Sequence, residues 1–391
     1  MRQVLVLFHR YVGLALAGFL IMAGLTGAVL AFQRELDATL NPHLFRVESG
    51  GAHLPLEALR ERVEARLPEA AVVSIQPPWE ADGSALVRVE PAAPGADLAY
   101  DEVYANPVSG AVLGKRLWGA CCLERENLIP FLFKLHYTLH APGQVGLYLM
   151  GVVALLWSID CIAALVLSAP RGGRKLQGWG RALSIKPRAA FERRTLDLHR
   201  APGLWLWIVL LVTAVTGVGL NLRDQVFEPV VSSFFPVSPP FFERPVPPGA
   251  SPDILSFDQA VARARAQAAA NDRPGTAAYV LHAPALHAYG VALTRYKDGD
   301  PRRGFGPDWY YIDARDGSVR ASELAGRGAA GDLVMQSRYP LHTGLVFGLA
   351  GQLIICAAGL LTATLSVTGV LLWAAKRRAR LRARDKRRRL S

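Results

Sequence analysis

Leu198-His199-Arg200-Ala201-Pro202-Gly203-Leu204, running into the apolar segment Trp205 to Leu222, sets an ionisable side chain at the threshold of a membrane-length helix. The start of the chain repeats it as Phe8-His9-Arg10-Tyr11-Val12-Gly13-Leu14, running on to Leu30. In both copies His-Arg is followed by Gly-Leu, and a Thr-Gly pair comes later at the same offset, as Thr26-Gly27 and Thr216-Gly217. On a helix of about 3.6 residues per turn, that offset is close to about five full turns. His9, Gly13, Leu16, Leu20 and Gly27 are therefore expected on one face, and His199, Gly203, Leu206, Leu210 and Gly217 on the matching one. A histidine at the mouth of such a face, with glycines below it, lets something flat and bulky lie against the helix.

Working outward, 51% of the 391 residues are hydrophobic, too apolar for an ordinary soluble enzyme of this size. Four stretches, Tyr11–Phe32, Val145–Leu167, Leu204–Leu222 and Leu345–Trp373, approach or exceed the length needed to cross a hydrocarbon core of about 30 Å. The first has a rival reading as a signal peptide, with Val29-Leu30-Ala31 as a weak cleavage site. It is longer than a typical signal core, and its motif recurs mid-chain, so it reads as a span. The net charge of +12 is concentrated. Arg171, Arg174, Lys175, Arg181, Lys186, Arg188, Arg193 and Arg194 crowd the connection between the second and third stretches, and Lys376 to Arg389 is denser still. Both clusters abut spans, so the positive-inside rule accounts for them without nucleic acid. It puts both termini and the middle loop in the cytoplasm, and the long connections of about 33–135 and 223–340 outside, in a bacterial periplasm.

The first long connection reads as a helix over Leu56–Leu67, strands at Ala71–Ile75 and Ala85–Val89, and strand-turn-strand over Val103–Leu113. The second opens with a proline-rich linker, Pro236 to Pro252, expected to be extended rather than packed. A helix over Phe257–Ala268 follows, then strands at Ala277–Leu281 and Tyr289–Leu293, and strand-turn-strand over Trp309–Val319. Each half is thus span, helix plus small sheet, span, which is the signature of a duplication. Four cysteines give no zinc spacing and no disulfide framework. Cys161 and Cys356 read as small buried side chains, and Cys121-Cys122 as free thiols or a vicinal disulfide. There is no dinucleotide or flavin fingerprint.

The segments His9-Arg10 with Gly13, Leu135-His136, Trp157-Ser158-Ile159-Asp160, Asp197-Leu198-His199-Arg200-Ala201-Pro202-Gly203-Leu204-Trp205-Leu206-Trp207, Tyr339-Pro340-Leu341-His342-Thr343-Gly344 and Ser366-Val367-Thr368-Gly369-Val370 carry a resemblance. The chain resembles the PepSY-associated transmembrane-helix family of iron-regulated inner-membrane proteins, and within it the ferrisiderophore reductases that act on hydroxamate siderophores. The long connections resemble PepSY modules. Asn106-Pro107-Val108-Ser109-Gly110 stands where that module has Asp-Pro-x-Thr-Gly, and Asp313-Ala314-Arg315-Asp316-Gly317 departs further. The expected fold is membrane α-helical, a four-span bundle from a duplicated two-span unit, with two periplasmic α+β PepSY-like modules. Its divisions are spans at 1–33, 134–169, 199–223 and 339–374, modules at 34–133 and 224–338, a basic loop at 170–198 and a basic tail at 375–391.

Of nine histidines, His9 and His199 fall at the cytoplasmic ends of spans, and His136, His140 and His342 at the outer ends. Leu135-His136 corresponds to Leu341-His342, which makes His136 the repeat-equivalent residue; His140 is an alternative one turn later, on the same expected face. Two histidines on each side are too few for a zinc site but suit the two axial positions of a haem iron. Hence two bis-histidine haem b groups are expected, His9 with His199 and His136 (or His140) with His342. Arg10 and Arg200 then pair with propionates, or serve only as flanking positive charge. Two stacked haems divide the path across the membrane, and filled axial positions point to electron transfer rather than oxygen chemistry. The resemblance implies reduction of ferric siderophore at the periplasmic face, with electrons from a cytoplasmic or membrane donor. Ferric iron suits anionic oxygen ligands, and adding an electron weakens that match. The alternatives are a non-redox siderophore or metal permease, and a PepSY-type regulatory membrane protein. His43, His53, His282 and His287 read as outer surface residues, the last two also as substrate or iron contacts. Trp118, Trp309, Tyr310 and Tyr311 line an outer docking surface or pack a small sheet, and Asp160 bonds a neighbouring helix or relays a proton.

Overall fold

The computed structural model describes residues 1–48, 50–122, 124–170, 175–244 and 252–390, and of 175–177, 386, 387, 389 and 390 only the backbone. Arg171, Arg174 and the linker residues 245–251 lie outside it. Helix α1 (Arg2–Leu30) is followed by α2 (Gln33–Leu40), α3 (Pro42–Phe45) and α4 (Leu56–Arg66). Strands β1 (Ala70–Gln76), β2 (Ala85–Pro91), β3 (Glu102–Ala105) and β4 (Val112–Arg116) come next, then α5 (Arg125–Thr138), α6 (Val145–Ser168) and α7 (Lys175–Ala182). The second half runs α8 (Phe191–Trp205), α9 (Trp207–Asn221), α10 (Glu228–Ser232) and α11 (Phe257–Ala270). It closes with β5 (Thr276–Ala283), β6 (Ala288–Thr294), β7 (Asp308–Asp313), β8 (Val319–Glu323), α12 (Ala330–Thr343) and α13 (Gly348–Leu390).

Two separate modules are expected from the sequence, yet the strands form one antiparallel eight-stranded sheet in the order β4-β3-β2-β1-β5-β6-β7-β8. The halves meet edge to edge where β1 pairs β5, with Ser74 opposite Leu281 and Ile75 opposite Val280. Each half would otherwise leave a bare strand edge with unpaired N–H and C=O groups. A second tie crosses the same seam. The Asp258 carboxylate of α11 accepts from the Leu56 and Glu57 amides that open α4, both at 2.9 Å, and Glu57 accepts from the Phe257 amide at 3.0 Å. Each helix thereby satisfies orphan N–H donors of the other. Residues alternate along the strands: Ile75, Val87, Val103, Val280, Val291 and Ile312 are wholly buried under α4 and α11, with Leu59, Val63 and Phe257. Burying side chains of this kind contributes about 1.5–3 kcal/mol each. The opposite face carries Tyr104, Tyr279 and Trp309 and looks toward α5 and α12.

Three helical segments, Arg2–Leu30, Val145–Ser168 and Leu345–Asp385, are long and apolar enough to cross a membrane, and α8 with α9 qualify as a fourth only as a bent pair. The span expected at Leu204–Leu222 is mostly α9, the second arm of that pair: the chain turns by 72° at Leu206. Hydropathy reports composition and not axis direction, and Pro202-Gly203 lie in the turn just before the break, where residues of this kind permit a kink. Helices α1 and α13 cross so closely that a methyl on Gly24 would lie 2.5 Å from the Gly359 carbonyl oxygen, and one on Gly359 equally close to that of Gly24. Such small-residue contacts let membrane helices associate where lipid offers no hydrophobic gain. Gln352 strengthens the crossing by donating to the Ala31 carbonyl at 2.8 Å. The basic tail continues α13 as helix to Leu390. Within the proline-rich stretch, Phe241 is not extended and free: it is buried and stacks on Tyr311 at 4.1 Å. Cys121 and Cys122 are joined in a vicinal disulfide, and Cys161 and Cys356 are free.

Candidate functional site

Four of the sequence-predicted histidines come together in two pairs. His9 of α1 meets His199 of α8 with ring centres 6.0 Å apart, and His136 of α5 meets His342 of α12 at 6.3 Å. His136 and His342 do not stand on the spans themselves. Each ends a short helix that precedes one: α5 stops where Leu139 and His140 turn left-handed, and α12 stops at left-handed Gly344. That turn removes His140 from the expected helical face. Its Nε2 bonds the Phe131 carbonyl at 2.9 Å, and its ring stacks on Phe131 at 4.3 Å, so it does not join the pair.

Each paired ring is held by an oxygen from another helix. His9 Nδ1 bonds both carboxylate oxygens of Asp160 on α6 at 2.9 Å. His199 Nδ1 bonds the Leu365 carbonyl and the Thr368 hydroxyl of α13, both at 3.0 Å. His136 Nδ1 lies 2.8 Å from Thr26 Oγ1 on α1, and His342 Nδ1 lies 3.0 Å from Thr216 Oγ1 on α9. A carboxylate and a carbonyl only accept, so Nδ1 carries a proton in His9 and His199. Thr26 and Thr216 spend their own hydroxyl protons on the Met22 and Val212 carbonyls, and so accept from their histidines as well. On all four rings this leaves Nε2 as the nitrogen with a lone pair to offer. Among the described residues no hydrogen bond reaches it.

The Thr-Gly pairs therefore do not sit below the histidine of their own helix. Gly27 lies against His136, where a methyl would come 3.1 Å from Cε1, and Gly217 lies near His342 at 3.7 Å. Thr368-Gly369 does the same for His199, with a methyl on Gly369 at 3.3 Å from Cε1. The fourth position breaks the pattern, since Asp160-Cys161 stands where the other three have Thr-Gly. Seventeen residues separate His9 from Thr26 on α1, so the pairs lie about 25 Å apart along that helix.

His9 and His199 line a cavity of 520 Å³, together with Gly13, Gly203, Arg10 and Arg200. A methyl on Gly13 would meet nothing within 4 Å, so the expected open face is there. Arg200 is anchored by Asp197, which is fully buried and also pairs Arg193. Its Nε is buried without a hydrogen-bond partner, a donor left for an acceptor.

The other flagged residues scatter. His43 pairs Glu126, and His53 is exposed. His282 and His287 both bond Asp253, at 3.0 and 2.8 Å, and His282 stacks on Tyr289 on the face covered by α11. Tyr310 is a core residue, whereas Trp118 and Trp309 line a space between sheet and helices.

No group of three or more His, Cys, Asp or Glu is placed to hold a bare metal ion among the described residues. The fold and site thus define a membrane protein that carries a sheet domain on its helices and two half-buried imidazole pairs between them. It belongs to the family described as PepSY-associated TM region, whose model matches residues 6–376. Comparison with curated proteins returns no match.

Proposed function

We propose that this chain is a two-haem electron carrier of the membrane that reduces ferric siderophores, of hydroxamate class, on the side where the sheet lies. The observation that carries the reading is the pairing itself. Two imidazoles ligating one iron from opposite sides, with metal–nitrogen bonds of about 2.0–2.1 Å, have ring centres about 6 Å apart. The separations of 6.0 and 6.3 Å fit. So does the outward bond of every Nδ1, the support a ligating histidine has in metal sites. With only two protein donors per site, the remaining four ligands must come with the metal, as in a porphyrin.

His9 with His199 would hold one haem b, and His136 with His342 the other; no Cys-x-x-Cys-His attachment motif is present for a covalent one. Bound haem would supply one-electron redox chemistry. The chain's own residues would do the rest: Nδ1 bonds hold each ring, Arg200 Nε and Arg10 are offered to acid groups at the cavity rim, and each pair of Nε2 atoms would hold the group. Arg2, Arg10, Arg200 and Lys376 line the cavity of the His9 pair, and basic residues flanking spans favour the cytoplasmic side, so that end would face the cytoplasm and receive electrons from a cytoplasmic or membrane donor.

The 72° break at Leu206 favours a second reading, a permease, because transporters place broken helices around a substrate. The break lies close to His199 near one end of the bundle, whereas transporter sites sit near the midplane. The test is the absorption of purified, dithionite-reduced protein before and after adding ferric trihydroxamate under nitrogen. A sharp b-type spectrum that is lost as ferrous iron appears supports the carrier. A colourless protein that nevertheless moves the chelate into vesicles supports the permease.

A further inference from the structure

A second cavity, of 530 Å³, lies between the open face of the sheet and the helices that carry His136 and His342. Phe133 and Tyr339 line it, each three residues before its histidine. At about 1.5 Å of rise per residue, that puts the cavity floor about one helical turn from both rings. From the sheet side Trp79, Tyr279, Phe305 and Trp309 supply aromatic walls.

Its charges are unevenly matched. Arg116 is neutralised by Asp37 at 2.9 Å and Glu102 at 2.8 Å, and Arg302 by Asp300 at 3.0 Å and Glu35 at 3.1 Å. Arg34 stands apart: among the described residues no carboxylate reaches ion-pair distance, and no hydrogen bond is made by its guanidinium. Its guanidinium carbon lies over the Trp79 indole, 3.8 Å from the ring centre. Burial, with Arg302 nearby, holds it below the ordinary arginine value. A stacked guanidinium keeps its in-plane N–H donors free for oxygen acceptors. The Glu80 charge offsets part of that cost from beyond ion-pair distance, and a partly desolvated cation held without direct acceptors gains when a ligand supplies them.

We propose that this chamber docks a compact, oxygen-rich metal chelate, with chelate oxygens on Arg34 and the apolar flanks of the chelator against Trp79, Phe305 and Trp309. The volume is within the range of about 300–1,000 Å³ usual for small-molecule sites, and aromatic walls with few polar anchors are the usual composition. The assignment deepens the electron-carrier reading and rests on it for the identity of the ligand, but docking itself needs no redox step.

The test therefore uses a redox-inert probe, the gallium(III) complex of a linear trihydroxamate, titrated into full-length protein in detergent and followed by tryptophan fluorescence. Saturable quenching is expected for the wild type. Arg34→Gln should weaken binding at least about tenfold and Arg34→Lys less, because lysine keeps the charge but loses the planar fork. Phe305→Ala removes a wall residue that is 41% exposed, so its expected severalfold loss comes with an unchanged melting temperature. Wild-type affinity in both Arg34→Gln and Phe305→Ala, or no binding in the wild type, would overturn the chamber. Gallium chelate bound by a protein without haem would keep the chamber and sink the electron reading; haem content intact with binding indifferent to both substitutions would do the reverse.

Discussion

The two histidine pairs share a plan and differ in one atom set. At the sheet end, both rings lean on threonine hydroxyls, Thr26 and Thr216, in symmetric fashion. At the tail end one ring leans on a carbonyl and a hydroxyl, and the other on the Asp160 carboxylate. A carboxylate makes the stronger, charge-assisted bond and raises the basicity of the imidazole it holds. The two pairs therefore have the same plan, while Asp160, standing where the other three positions have threonine, makes them electronically unlike.

The harshest way to break the comparison is His199→Ala. It should abolish one haem of two and leave the sheet-end site intact, read by pyridine haemochrome assay against protein concentration; retention of both would show the pairing to be wrong. Next in size, Asp160→Asn keeps the shape but removes the charge. Loss of an outer-shell partner of this kind costs about 10–100-fold in affinity, and the midpoint potential of the tail-end component should rise while the other stays put. A shift of both components, or of neither, would mean that Asp160 does not distinguish the sites. Thr26→Val and Thr216→Val sharpen the symmetry at the sheet end: each should weaken that site by a similar, smaller factor in the same titration. The smallest effect is expected of Thr368→Val, because the Leu365 carbonyl still holds His199; a loss as large as that of Asp160→Asn would contradict it.

Much of this was legible in the chain. The His-Arg-x-x-Gly-Leu repeat singles out His9 and His199, which lie together in the fold. The correspondence of Leu135-His136 with Leu341-His342 identified the other pair. What periodicity could not carry was partnership between helices. The Thr-Gly pairs looked like extensions of their own histidine faces, but seventeen residues at helical rise carry Thr26 to the opposite end of the bundle, where it serves His136. The alternative His140 leaves its expected face for a local reason: helix α5 ends in a left-handed turn at Leu139, and nothing in an apolar pattern marks that. The joining of the sheets was equally hidden, since one edge contact of β1 with β5 and the reciprocal caps of Asp258 and Glu57 are long-range pairings. The roles of Asp197 and Gln352 leave no mark in the sequence, because an acid near a basic loop and an amide in a span look ordinary until their partners are seen.

A potentiometric titration of the full-length protein, followed in the visible spectrum, addresses two bis-histidine sites most directly. The account predicts two low-spin b-type components of equal amplitude at different potentials, with Asp160→Asn bringing the two closer together or reversing their order through the tail-end one alone. A single component, high-spin iron that binds carbon monoxide, or no haem at all would contradict it.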